Sequence, residues 1–315
     1  MNLNLIKRWI RMLNGNSSFH VEQNEGKYYS KNEVKGYYND LTNKVKIGNT
    51  LIENDIPYNI SIHNKKIFFP GTIFQYGLGL YDLYIETNEK KYIDQFIKIA
   101  KWTIENQKST GIWDCLKVLG DKIHQNQSSM CQSQGISVLM RAYAYTNNEE
   151  YLLSAQKAIE IMIKTPEEGG TCYISEDEYI FQEYVSNENQ SVLNGWIFSI
   201  FGLYDYYLTT KDNKIKNIID KTVITLEKKL HLYDRKYWTS YDLVGTIASP
   251  SYHDLHIKLL NVMYDIFEKE EFKKYADKWE KYQSRKINVI LAMLIKLKQK
   301  LSKNKYYDIN TSLVR

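Results

Sequence analysis

The chain has 315 residues and a formal net charge of +5, with 43% hydrophobic and 25% charged side chains. That is a globular composition, with room for one large domain or two small ones. Lys and Asp/Glu alternate without a dense basic block, which speaks against a nucleic-acid partner, and no apolar run reaches the length of a membrane span. The unusual feature is ring content, 27 Tyr and 6 Trp beside only 4 Pro. Such rings suit stacking on sugar faces or, more plainly, the packing of helices.

In chain order, residues 1–13 (MNLNLIKRWIRML) read as a short basic amphipathic helix. Lys7, Arg8 and Arg11 break its apolar run too often for a signal peptide. It suits peripheral association with an anionic membrane surface, or else an ordinary terminal helix. Residues 1–67 are expected to form an N-terminal segment, mostly helical or irregular, packed on a main domain over 68–315. Cys115, Cys131 and Cys172 are odd in number and lack CxxC or zinc spacing, so three reduced thiols are expected.

A repeat follows. An aromatic residue, a polar turn and a second apolar residue eight positions on recur as Tyr84/Tyr92, Tyr143/Tyr151, Tyr207/Ile215 and Tyr264/Phe272, with spacings of 59, 64 and 57 between the leading tyrosines. This is the length of a helical hairpin with its connecting loop. The first helix of each unit (PGTIFQYGLGLYDLY, SSMCQSQGISVLMRAY, SVLNGWIFSIFGLYDYY, SPSYHDLHIKLLNVMY) is apolar nearly all round. The second is amphipathic, as in KYIDQFIKIAKWTIENQ with its stripe Ile93, Phe96, Ile97 and Ala100. Buried first helices and half-exposed second helices predict an all-α (α/α) toroid. Four hairpins, helical pieces before residue 57 and a final helix near 283–302 fall short of a full ring, so the toroid is expected to be incomplete.

In that architecture the N-termini of the first helices share one mouth. The loops bring Trp113, Tyr173, Tyr184, Trp238 and Tyr241 there, and the helix starts bring Gln75, Gln132, Gln134, Asn194 and Tyr252. Rings, amides and acids at one rim suit a carbohydrate, and helix N-termini favour an anionic one. The residues alone leave several chemistries open. Two carboxylates can hydrolyse a glycosidic bond, while a Tyr and a second base can remove a proton beside a carboxylate. His253 and His256, at i and i+3, can contribute to a metal site, but with no evident third ligand no metal is expected.

The segments VLNGWIFSIFGLYDYY, LHLYD, SYDLVGTIASP, YHDLHI and MCQSQGISVLMRAY, in this order of position apart from the last, which comes first, resemble the C-terminal α/α domain of the D-glucuronyl C5-epimerases over roughly residues 68–283. The resemblance implies a polysaccharide uronate 5-epimerase with Glu183, Tyr184, Tyr241 and Tyr252 as catalytic residues. Gln132, Gln134, Asn194, Trp113, Tyr173 and His253 would bind substrate. It implies an acidic polysaccharide as partner and no cofactor, consistent with the absence of a dinucleotide motif from the sequence. A uronate lyase and a non-catalytic sugar-binding module are the rival readings. Val244 follows Tyr-Asp-Leu where animal members carry Arg, and Ser133 replaces a Gly. The short stretch before the match, the cysteine pattern and the lack of a signal suggest a microbial, cytoplasmic enzyme of polysaccharide synthesis, with peripheral membrane association through residues 1–13 as an addition.

Overall fold

The computed structural model describes residues 3–17, 20–47, 50–61, 64–115, 127–176, 178–185 and 190–301. Four helices carry the core: α3 (Pro70–Thr87), α5 (Ser129–Thr146), α7 (Leu193–Thr210) and α9 (Pro250–Phe267), each 18 residues long. Each runs into a residue with left-handed φ, namely Asn88, Asn147, Lys211 and Glu268. The N–H of that residue bonds the carbonyl of Tyr84, Tyr143, Tyr207 or Tyr264 at 2.8 Å. The tyrosine that marks the repeat in sequence is thus the one whose carbonyl closes the helix.

Each core helix is followed by an outer one: α4 (Lys90–Glu105), α6 (Glu149–Met162), α8 (Asn213–Lys229) and α10 (Glu270–Gln283). Fifteen of the 18 residues of α7 are buried against 7 of the 17 in α8, which separates inner helices from outer ones. In α4 the buried stripe is Ile93, Phe96, Ile99 and Ala100, with Ile97 at its half-buried edge. The inner helices pack in the order α3–α5–α7–α9, each on its own outer partner. Gly202 permits the close approach of α7 to α5, since a Cβ there would lie 2.6 Å from Ser133 Cβ. The result is an incomplete (α/α) toroid of four hairpins.

The N-terminal segment joins the two ends of this arc. On the α9 side Tyr29 Oη donates to Asp265 (2.8 Å) and Asn261 Nδ2 donates to Glu25 (2.8 Å). On the α3 side Tyr37 N–H donates to Asp82 (2.9 Å), and α2 (Thr42–Lys46) packs on the helix near Gly79. Between them Arg141 of α5 pairs with Asp205 of α7 at 2.7 Å, both fully buried. Arg141 also donates to Gly36 O (2.9 Å), and Tyr38 Oη donates to Asp205 (2.8 Å). A buried ion pair is tolerable when its other donors and lone pairs find partners, and the segment supplies two of these, Gly36 O and Tyr38 Oη.

Residues 1–67, expected to be mostly helical or irregular, also hold a small sheet. Strands β1 (Leu51–Glu53), β2 (Ile56–Ile60) and β3 (Lys66–Ile67) are antiparallel, with Leu51 opposite Tyr58 and Asn59 opposite Ile67. The β1–β2 turn is Asn54-Asp55 with φ 50° and 69°, the two-residue geometry that Asn and Asp accept. A second hairpin, β4 (Cys172–Ile174) with β5 (Tyr179–Phe181), lies between α6 and α7.

Helices α1 (Leu3–Leu13) and α11 (Lys286–Leu301) contact each other. A small separate core joins Leu5 and Trp9 of α1 and Ala292 of α11 to Trp238, Ile247 and Ala248. The expectation of three reduced cysteines is also corrected. Cys115 and Cys131 form a disulfide across a separation of 16 residues, and Cys172 alone is a free, buried thiol. Sequence spacing could not reveal this pair, because it depends on the start of α5 meeting the loop after α4. The cysteines therefore give no ground for a reducing compartment.

Candidate active site

The chain enters the site along the β4–β5 hairpin. Gln182 extends that ladder through its N–H to Thr171 O (3.0 Å), and its carbonyl accepts from Ser129 N at the start of α5 (3.0 Å). The next residue, Glu183, is thereby directed at the start of α7, and it is 4% exposed. Gly195 gives it room, since a Cβ there would sit 2.5 Å from Glu183 Oε2. Burial raises the Glu183 carboxyl to about 7, although hydrogen bonding with Tyr184 pulls it down in part.

Tyr241 arrives on a tight loop. Its N–H donates to Thr246 O (2.6 Å), its carbonyl accepts from Leu193 N (3.1 Å), and Asp242 opposes Val192. The Asp242 carboxylate accepts from Thr246 N (2.9 Å), and Gly245 turns the chain with φ 86°. Helix α11 braces the loop: Ile247 N–H donates to Gln299, Gln299 donates to Gly245 O, and Lys296 donates to Ile247 O. Tyr252, in the first turn of α9, meets the Tyr241 ring edge to face with centroids 4.9 Å apart.

These residues form one cluster. Tyr184 and Tyr241 lie close enough to Glu183, to Tyr252 and to each other for their charges to interact. Desolvation first, and then those neighbouring negative charges, hold both phenols well above their ordinary range. At neutral pH Tyr184 and Tyr241 are therefore hydroxyl donors, while Glu183 is poised between acid and base. Among the buried polar atoms of the described residues that lack a hydrogen-bond partner are Glu183 Oε2, Asn194 Oδ1 and Gln134 Nε2. Gln134 accepts from Gln75 Nε2 at 3.2 Å, and Asn194 Nδ2 contacts Met130 Sδ. Tyr173 lies half-buried on β4.

Three expected ligand contacts are corrected. Trp113 is fully buried, with its indole N–H on Thr103 O (2.7 Å) and its ring against Phe74. Gln132 accepts from Trp113 N and donates to Gly111 O, so it ties the loop to α5. His253 is buried between Thr239 Oγ1 (2.9 Å) and Trp279 O (3.1 Å) and stacks on Trp238, with centroids 3.7 Å apart. Burial lowers His253 and His256 to about 3, so both are neutral packing residues. Among the described residues no group of three or more His, Cys, Asp or Glu could hold a metal.

Sequence reasoning missed a wall of the site. His20, in the N-terminal segment, packs its ring against Tyr252 with centroids 5.5 Å apart. Burial lowers it to about 4, assisted by the charges of Lys44 and Arg8. Lys44 on α2 is surrounded by protein yet still reached by solvent, and desolvation lowers it to about 8. Among the described residues no carboxylate pairs with its ammonium. One signal was available: helix α2 is too short to be stable alone, so it had to dock on the main domain.

An all-α toroid thus gathers a buried carboxylate and three tyrosines, with the Lys44 ammonium nearby. The profile of the D-glucuronyl C5-epimerase C-terminus matches residues 109–281, more than half of the chain, and the chain belongs to that family. It is 30% identical over 226 residues to the D-glucuronyl C5-epimerase of Caenorhabditis elegans, covering 63% of this chain and 36% of that one. An uncharacterized protein of Methanocaldococcus jannaschii is 28% identical over 157 residues, 49% of this chain and 51% of that one. The chain thus spans about half or less of either relative. Among solved structures, the Lin0763 protein of Listeria innocua has the same fold, with TM-score 0.52, 12% identity and coverage of 84% and 78% of the two chains.

Proposed function

We propose that this chain is a polysaccharide uronate 5-epimerase, converting D-glucuronate-type units to their L-iduronate-type C5 epimers in an acidic polymer. The observation that carries the reading is the convergence of Glu183 with Tyr184, Tyr241 and Tyr252. The C5 hydrogen of a uronate lies beside a carboxylate and is a very weak acid. Glu183 takes that proton, and the C–H electron pair moves into the C5–C6 bond, leaving a second negative charge on the carboxyl oxygens. Tyr184 and Tyr241, held as neutral phenols, donate hydrogen bonds to that charge where it develops. Tyr252 returns a proton to C5 from the opposite face. The Glu183 proton and the Tyr252 phenolate then reset by exchange with solvent. Lys44 and His20 line the Tyr252 side, where the ammonium offsets the charge of the bound uronate.

The test is incubation of uronate-bearing polymers in deuterated water, followed by mass and stereochemical analysis. Deuterium at C5 together with inverted units supports the proposal. A new C4–C5 double bond marks a lyase, and binding without exchange marks a sugar-binding module. Either outcome rejects it.

A further inference from the structure

The amphipathic segment at residues 1–13 suggests a membrane contact through α1, but the apolar side of α1 is spent on the small core, through Leu5 and Trp9. The free apolar face belongs to α11. Ile287, Ile290, Leu291, Leu294 and Leu301 are 40% to 70% exposed. At 100° per residue they fall within about a quarter to a third of the helix circumference, with Lys298 among them. Ile10 and Leu13 of the adjoining α1 are exposed as well. Two touching helices therefore hold seven of the 15 large exposed hydrophobic side chains among the described residues.

Charge selects the occupant. Neither α1 nor α11 contains an acidic residue, while Lys7, Arg11, Lys286, Lys298 and Lys300 are exposed on them, and Arg285 is exposed just before α11. A second copy of this face would bring like charges together. A polyanionic sugar would pair with the cations but gain little from a row of Ile and Leu. An anionic lipid surface meets both features: apolar side chains enter the headgroup boundary while lysines and arginines pair with phosphates. No described helix is long and apolar enough to cross a membrane, so the contact would be peripheral.

We propose that the exposed α1/α11 face docks on an anionic membrane surface, with Ile287, Ile290, Leu291 and Leu294 as the inserting side chains. The inner side of α11 braces the Tyr241 loop through Lys296 and Gln299, so docking would set that side of the site beside the bilayer. This inference stands apart from the uronate chemistry.

The experiment is co-sedimentation of the full chain with vesicles of phosphatidylcholine alone and of phosphatidylcholine mixed with phosphatidylglycerol. The expected result is pelleting with the anionic vesicles only, reversed by high salt as screening shortens the charge reach. Ile290→Glu with Leu294→Glu should reduce vesicle partition by about 10-fold or more, because it removes insertion and adds repulsion. Lys286→Glu with Lys298→Glu keeps the apolar row and should lower partition too. Both pairs are surface changes, and circular dichroism checks that each variant is folded. Absence of wild-type pelleting, pelleting unaffected by both pairs, or a concentration-dependent dimer in light scattering that Leu294→Glu dissolves would overturn the proposal.

Discussion

Gly195 and Glu183 occupy one space: a Cβ on the helix residue would lie 2.5 Å from the carboxylate oxygen and 2.6 Å from Glu183 Cβ. The Leu-Asn-Gly start of α7 is thus the seat of Glu183. Both contacts are too close for a real Cβ, and Glu183 is buried, so the carboxylate has little room to yield.

Gly195→Ala should therefore displace the carboxylate while the helix survives. Helix propensity alone would favour Ala by about 1 kcal/mol. A misplacement of about 1 Å at reacting groups can lower a rate by ~10²-fold. The expected outcome is a loss of C5 exchange of that order with helical signal retained. Normal exchange would show that Glu183 does not act from this position.

The Glu183 carboxyl at about 7 sets a pH profile. As the base, it must be ionised, so kcat/KM should rise as pH increases through about 7. Stability runs the other way. Glu183 and Asp82 both have folded-state values near 7, raised by burial above the ordinary carboxylate range. Their contribution to stability is fully present below about 4 and is lost as pH rises through about 7. Thermal melts and initial rates over the same pH series should slope oppositely. A rate that falls through pH 7 would make Glu183 the acid instead.

The inner helices were legible because each is apolar nearly all round and carries a tyrosine in its last turn at a recurring spacing. Glu183, Tyr184, Tyr241 and Tyr252 were legible through motifs, each tied to a helix start or tight loop that local sequence encodes. Trp113 and His253 misled because a ring or imidazole near a rim looks the same in sequence whether it faces a ligand or the core. What decided was the partner, Thr103 O for one and Trp279 O for the other, each supplied by an outer helix. His20, Lys44 and the β1–β3 sheet escaped notice because their places depend on a segment that crosses the whole arc, and no local periodicity records that crossing.

Lys44→Met tests this crossing segment. The change keeps an apolar stem and removes a cation that has no carboxylate partner among the described residues, so the fold should hold. The loss should fall on KM more than on kcat if the ammonium offsets the uronate charge before the reaction as well as during it. Higher salt should narrow the gap between variant and wild type. Unchanged KM would remove Lys44 from the site.

Asp205→Asn leaves the Arg141 guanidinium buried with half its pairing gone. Breaking a buried pair from one side destabilises by about 3–5 kcal/mol. For a domain of this size that is a melting shift of roughly 10 °C. Arg141→Met combined with Asp205→Leu removes both charges and should recover part of the loss. Because the pair also holds Gly36 and Tyr38, the single variant should expose residues 20–47 to protease first. Equal stability of the single and double variants would show that the pair does not anchor the segment.

Tyr252→Phe tests the proposed second proton-transfer group. The substitution removes one hydroxyl and keeps the ring, so the edge-to-face contact with Tyr241 and the contact with His20 persist. If Tyr252 delivers the proton to C5, its loss should lower turnover by ~10²–10⁴-fold. A group confined to one face has a more specific signature. Glu183 can still remove a proton from the glucuronate face and return one from solvent to the same face. Deuterium would then enter C5 without inversion, whereas Glu183→Gln should stop exchange from that face altogether. Stability should change by about 1 kcal/mol at most, the net worth of one hydroxyl hydrogen bond. Inversion at the wild-type rate in a well-folded Tyr252→Phe protein would assign the second face to another residue, and Tyr241, whose ring meets that of Tyr252, is the hydroxyl to test next.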